Sequence, residues 1–458
     1  MHKSLRVGLA LALALPLSAR ADSPADIASL RQEVDAIRAA YEARLQALEQ
    51  RLQRAEAQGA AAAQASAAPA AVLPAVASST ASGGANAFNP ALSLILSGRY
   101  ARSSQDPSRY AISGFLLPAG AELGPGPRGF SLTESELGIA ASIDPWLRGA
   151  AHIALHADNA VSVEEAYVQT TALGGGLSLK AGRFLSGLGY LNPRHAHTWD
   201  FADNPLAYQA LLGTQYGDDG VQMTWLAPTD QFIELGLELG RGRSFPGGDN
   251  SRNGAGMAAI TAHTGADFGV SHSWRAGLSL LQARADGQQL VGLDPAGQAL
   301  SAGFSGRTRV WVADVVWKWA PDGNATRTNL TLQGEYLHST RSGSLTLDLG
   351  NAASTGAYRA VQSGGYLQGV YQFMPRWRVG LRTERLDAGT PDYGIHAGLL
   401  ANTGYSPRKH TLMLEFNPSE FSRVRLQLAR DQARQGAGDP QIQLQYQMSL
   451  GAHGAHSY

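Results

Sequence analysis

His195 and His197 flank a single residue, and Asp200 follows three positions after the second histidine. Imidazole nitrogens and a carboxylate are the donors that Zn²⁺ and similar cations accept. The spacing is not the i, i+4 pair that a hydrolytic zinc motif sets on one helix face. The same side chains can instead hydrogen-bond a folded loop to its surroundings, because a short histidine pair without further ligands is a weak metal signal. Hydrogen bonding is the leading expectation and no cofactor is expected; zinc at His195, His197 and Asp200 is the alternative, structural before catalytic. His453 and His456 form a second pair near the C-terminus.

Charged residues recur at alternate positions opposite apolar ones. Arg148, Lys180, Arg378, Arg382 and Arg425 are of this kind. So are Glu134, Glu136, Glu234, Glu238, Glu335, Glu384, Glu415 and one of Glu164 and Glu165. With Arg183 and the His195–Asp200 group they are the candidates for a pore or its constriction. Rings of charge in a pore set ion selectivity, and the same charges can simply hydrate a lumen and brace its wall. No excess of Arg and Lys over Asp and Glu marks an anion filter. The totals balance at 37 and 37, so no field for nucleic acid is implied. The chain has no cysteine, which excludes thiolate zinc sites, disulfides and cysteine nucleophiles. No nucleophile stands in an evident relation to a histidine, and no enzyme is expected. Gly236–Gly242 reads as strand glycine rather than as a phosphate loop.

These side chains need a scaffold that alternates. In Leu137–Ala157 two period-2 runs are joined at Asp144-Pro145, which is a β-hairpin. The unit recurs from Pro90 onward. Tight turns fall at Asp144-Pro145, Leu173–Gly176, Ala227–Asp230, Ala266–Gly269, Pro321–Asn324, Met374–Arg376 and Asn417–Glu420. Eight other connections alternate with them, the largest near 102–129, 185–217, 284–306, 338–361 and 387–405. Seven turns and eight loops require about sixteen strands. Short turns at one end and long loops at the other are expected of an outer-membrane barrel. Trp311, Trp317 and Trp319 share a face with Ala313 and Val315, as a lipid-facing strand with an aromatic girdle would place them. The last strand, Gln441–Leu450, must pair with the first, Ala91–Ala101, since an open edge in lipid leaves backbone groups unsatisfied.

The fold expected is all-β: a transmembrane antiparallel barrel over 88–458, preceded by an α-helical coiled coil. Residues 1–21 read as a secretory signal, with Lys3 and Arg6, a short apolar core and Ala19-Arg20-Ala21 before cleavage. Within 22–58, Ile27, Leu30, Val34, Ile37 and Tyr41 step 3-4-3-4, favouring a coiled coil over a lone amphipathic helix, and hence an oligomer. Residues 59–87 are an Ala-rich linker.

The sixteen-strand pattern, the helical segment and LKAGRF at Leu179–Phe184 together resemble the oligo-ion porin family that includes the phosphate-selective porins. That resemblance implies a trimer with an inward constriction loop, for which Ser186–Gly217 is the natural segment. GFSLTESEL (Gly129–Leu137), VEEAYVQT (Val163–Thr170), GYLNPRHAHTWDF (Gly189–Phe201) and SLGAHGAH (Ser449–His456) resemble more closely a proteobacterial group. Its members are described as porins or, loosely, as zinc-regulated TonB-dependent receptors. The receptor label implies a plug domain and about twenty-two strands, neither of which this sequence provides.

The leading expectation is a passive channel for small hydrophilic solutes or ions. It would be a homotrimer in outer-membrane lipid, with its helical segment in the periplasm. A zinc-linked receptor and a closed, envelope-tethering barrel are the alternatives.

Overall fold

Period-2 alternation closes a wall. The computed structural model describes residues 90–248, 253–348, 352–402 and 404–451. A lower arc comprises β1 (Ala91–Ser103), β2 (Gly129–Leu132, resuming as Ser135–Ser142), β3 (Leu147–Leu155), β4 (Val161–Thr170), β5 (Leu177–Leu185), β6 (Gly217–Leu226) and β7 (Phe232–Gly240). A taller arc follows with β8 (Met257–Phe268), β9 (His272–Leu293), β10 (Ala299–Trp319), β11 (Asn329–Asp348) and β12 (Ala353–Met374). The circuit finishes with β13 (Trp377–Asp387), β14 (Arg408–Ser419), β15 (Ser422–Arg434) and β16 (Ala437–Gly451). Each strand pairs antiparallel with the next. β16 returns to β1, from Ser93 opposite Gly451 to Ser103 opposite Gln441. Eighteen strand segments make sixteen staves, because both halves of β2 pair with β1 and Leu117–Pro118 lies off the wall.

The closing strand shows the two faces. Ile442, Leu444, Tyr446 and Leu450 are exposed outward, while Gln441, Gln443, Gln445 and Gln447 are buried inside. Apolar side chains outside and amides inside are the reverse of a soluble core, and they are what lipid outside and water inside select.

The expected loops 284–306 and 338–361 are corrected. β9 and β10 run up to a turn at 294–298, while β11 runs to Asp348 and β12 starts at Ala353. Their Gly, Ser and Asp residues imitate loop composition, but the alternation never stops. What changes is the face: Leu290, Phe304, Leu345, Leu347 and Tyr358 are buried inward, in a cluster with Leu116, Phe245, Tyr393 and Leu400 from the loops. Beyond the membrane the strands use their inner face as a core. A register shift between Ala285 and Gln288 marks a bulge, and Gly287 supplies its positive φ of 70°. β8 begins only at Met257, so the upper edge of β9 would be open. Leu117–Pro118, from loop 104–128, pairs there with Leu290 and Val291.

The expected coiled coil is corrected too. The one α-helix among the described residues is α1, Leu206–Leu212, within a loop. Residues 22–58 lie outside the described residues, as do the signal, the linker and the His453–His456 pair. There is accordingly no described helical segment to place in the periplasm.

Candidate functional site

Loop 186–216 leaves β5 and folds into the lumen. All seven residues of α1 are buried. Leu188, Leu191, Leu206 and Leu211 pack with Ile112 and Phe115 of loop 104–128 and with Val310, Val312 and Leu337 of the wall. A buried loop must satisfy its own backbone, and inward wall side chains do this. Glu238 accepts from the Ser186 hydroxyl at 2.5 Å and the Gly187 N–H at 2.8 Å. Glu335 accepts from the N–H groups of Tyr190 and Leu191, at 3.2 and 2.9 Å, and from the Tyr208 and Tyr366 hydroxyls. The Leu206 N–H donates to Glu384 at 2.6 Å. Arg425 and Arg423 donate to the carbonyls of Trp199 and His197, at 2.8 and 2.5 Å. Hydrogen bonds to charged groups are each worth about 1.5–3 kcal/mol, so the wall charges hold the loop as well as wetting the lumen.

Arg378, Arg382 and Glu384, three of the pore candidates, belong to this anchoring. Arg382 donates to Asp203 and to Glu384, both at 2.7 Å. Lys409 meets the other oxygen of Asp203. Burial raises the Asp203 pKa, but Lys409 and Arg382 outweigh it and hold the carboxyl well below the usual range. Sequence reasoning placed Asp203 in the loop without giving it a role, and missed Lys409 and Asp431. Parity with Glu415 would have turned Lys409 inward, and parity with Arg425 would have turned Asp431 inward.

His195 and His197 come together, but Asp200 does not join them. Asp200 is drawn off to Arg378, which also donates to Glu415 at 3.0 Å. The histidines instead meet the low wall. His195 Nδ1 stands 3.1 Å from Glu136 Oε2 and 3.1 Å from Glu164 Oε2, and its Nε2 is 2.9 Å from Glu165 Oε2. His197 Nδ1 is 3.1 Å from the same Glu136 oxygen. His152, from β3, lies 2.5 Å from Glu136 Oε1, its ring centroid 4.5 Å from that of His195. Alternation allows only one of Glu164 and Glu165 inward. A register shift opposite His152–Ile153 leaves Glu164 as an extra residue, and this bulge lets both reach His195. Burial lowers the His195 pKa, but the three carboxylates outweigh it and hold it well above the ordinary imidazole value. Glu136, His152 and His195 each offer a ligand atom, all within 4.8 Å of one another, so this small cluster could coordinate a metal.

Arg148 donates to Gln169 at 2.7 Å, and Lys180 lies 4.6 Å over the Tyr167 ring; both are on the inward face. Arg183 has the outward parity of Leu179 and Ala181 and pairs with Asp219 at 2.6 Å. Its guanidinium also reaches the Val163 carbonyl at 3.1 Å, beside a β4–β5 ladder only four residue pairs long. Arg183 thus braces the outside of the wall.

Below loop 186–216, towards the short turns, a cavity of about 1590 Å³ is lined by Arg194, Asp200, Arg275, Lys318, Arg378 and Glu415, among others. At the opposite rim His156 Nε2 is 2.7 Å from Ser162 Oγ, but Glu122 is 3.8 Å from Nδ1 and largely exposed. That is beyond hydrogen-bond range, so nothing orients the imidazole as a catalytic triad requires.

No family model matches the chain. An uncharacterised protein of Aquifex aeolicus is 32% identical over 344 residues, covering 72% of this chain and 70% of that protein. A loop-deletion mutant of OmpT, an outer membrane protein of Vibrio cholerae, aligns with a TM-score of 0.50 at 12% identity over 80% of this chain and 100% of the mutant. In-vitro folded OmpT in its trimer form aligns with a TM-score of 0.49, also at 12% identity, over 80% and 100%. The first of these structural likenesses shows the fold alone, that of an outer-membrane β-barrel. Sixteen staves do not fit the twenty-two of a TonB-dependent receptor.

Proposed function

We propose that this chain, which belongs to one family with the Aquifex aeolicus protein, is an outer-membrane channel for passive diffusion of small hydrophilic solutes or ions. The observation that carries the reading is a closed barrel with a loop held inside it over a polar cavity. The outward apolar face of β16 suits lipid, and the short turns mark the periplasmic end. Loop 186–216 is the constriction, and solute size and lumen charge decide passage. The cavity carries both signs of charge, which argues against a simple anion filter. A homotrimer would pack through the low arc, where Phe130, Leu132 and Val161 are exposed outward. Zinc is a second reading, favoured only by the Glu136–His152–His195 cluster.

Planar-bilayer recording of the purified full chain tests the channel. Stable conductance steps are expected, larger once anchoring of loop 186–216 is weakened by Glu384→Gln. Folded protein that inserts without conducting would sink the channel and leave the closed barrel.

A further inference from the structure

We propose that Glu136, His152 and His195 bind one divalent transition-metal cation, and that the bound ion ties the lumen loop to β2 and β3. The three residues come from three separate elements, and their donor atoms already converge within 4.8 Å. In a tetrahedral site with bonds of 2.0–2.1 Å, neighbouring donors stand about 3.4 Å apart. The existing separations of 2.5 and 3.1 Å both lie below that value, so the donors must part by less than about 1 Å to admit an ion.

Two observations beyond the proximity point to a ligand. Glu136 is only 3% exposed, yet its Oε2 accepts no hydrogen bond despite two imidazole nitrogens 3.1 Å away. His195, moreover, has its two nitrogens differently employed. Nδ1 faces Glu136 and Glu164, each at 3.1 Å, and Nε2 faces Glu165 at 2.9 Å, while Glu165 is itself fixed by the Leu185 N–H at 3.0 Å. A carboxylate behind the far nitrogen is the arrangement that orients a metal-bound histidine.

Two imidazoles and a carboxylate select Zn²⁺, Co²⁺, Ni²⁺ or Cu²⁺ over Mg²⁺ and Ca²⁺, which prefer all-oxygen cages. His195 also lines the lower cavity, which gives a cation a way in. Asp200 takes no part, since it is committed to Arg378. The ion would add a bond between the wall and a loop otherwise held by hydrogen bonds and ion pairs.

The test uses the full chain folded in detergent, its fold checked by heat-dependent mobility in gels. Zn²⁺ is titrated calorimetrically, and Co²⁺ by visible absorption. One ion per chain is expected, with affinity at least about tenfold weaker in Glu136→Gln and His195→Asn, by comparison with the loss on removing even an outer partner. His410→Asn, exposed on β14 four strands from β2, should bind as the wild type does. No saturable binding by wild type, or equal affinity in the two cluster variants, overturns the site. Should those variants not fold, wild type still decides: Zn²⁺ should protect His195 and His152 from diethyl pyrocarbonate, and unchanged modification overturns the proposal. The tie is read by hydrogen exchange. Zn²⁺ should slow exchange over 189–200, and unchanged exchange with the site filled overturns the tie. None of these readouts needs conductance, so failure of the metal site and failure of the channel are distinguishable.

Discussion

Asp203 shows how a single side chain holds the lumen loop. It faces Arg382 at 2.7 Å, Lys409, and the Gln427 amide at 2.9 Å, all buried. Removing its charge leaves two buried cations short of a partner, although Glu384 and Asp431 remain near them. Breaking a buried pair in this way costs about 3–5 kcal/mol, so Asp203→Asn should lower barrel stability by about 3 kcal/mol in urea titrations followed by gel mobility. The folded-state pKa is depressed, so the Asp203 contribution is complete above the unfolded value of about 3.9 and is lost only as pH falls through the lower folded value. Protection of loop 186–216 from proteolysis should persist from pH 7 to about pH 5 in wild type and be absent throughout that range in the variant. Loss of protection already at pH 5 in wild type would remove Asp203 as the anchor. The sequence makes part of this legible. Parity marks Arg382 and Glu384 as inward on β13, and the loop is long enough to enter. Which residue 206 positions away completes the pair is a tertiary fact that no spacing records. For the same reason Asp200 looked like a partner of His195: neighbours along an irregular loop need not share a face.

At the scale of elements, strands were legible wherever their outer face was apolar. Leu137–Ala157 forms its hairpin as read, with Ile139 opposite Ala151 and Leu137 opposite Ile153. The upper halves of β9 to β12 were not legible, because there the apolar residues change to the inner face and glycines and serines interrupt them. The physical cause is the solvent. Outside the bilayer the wall has water beyond it and packed loops within, so the hydrophobic side reverses. Phe304 tests this. It is fully buried and stands edge-on to Tyr358 with centroids 5.8 Å apart. Phe304→Ala should cost about 3–5 kcal/mol locally, seen as faster hydrogen exchange in 299–306, 341–347 and the loop carrying Tyr393. Exchange in the membrane portion of β10, around Val312, should not change. Uniform acceleration along the whole strand would mean that the extension and the membrane wall are one cooperative unit.

For the whole molecule, the question is whether the lower cavity belongs to a continuous water path. Upper loops, the lumen loop and the wall share one apolar cluster, so any path runs around that plug rather than through it. The chain has no cysteine, so an introduced thiol is a unique reporter. Lys318 lines the cavity with Arg194, Arg275 and Asp200. In Lys318→Cys channels, a negatively charged methanethiosulfonate added from the short-turn side should react quickly. Reaction should move the reversal potential towards cation selectivity, because it adds a fixed negative charge, where the wild type has a positive one, in the field that ions cross. The same reagent from the loop side should react more slowly, in proportion to the resistance of the plug. Complete labelling, verified by mass, with no change in conductance or reversal potential would place the cavity outside the permeation path. The ions would then have to pass elsewhere in the barrel, and the charges beneath the lumen loop would serve only to hold it.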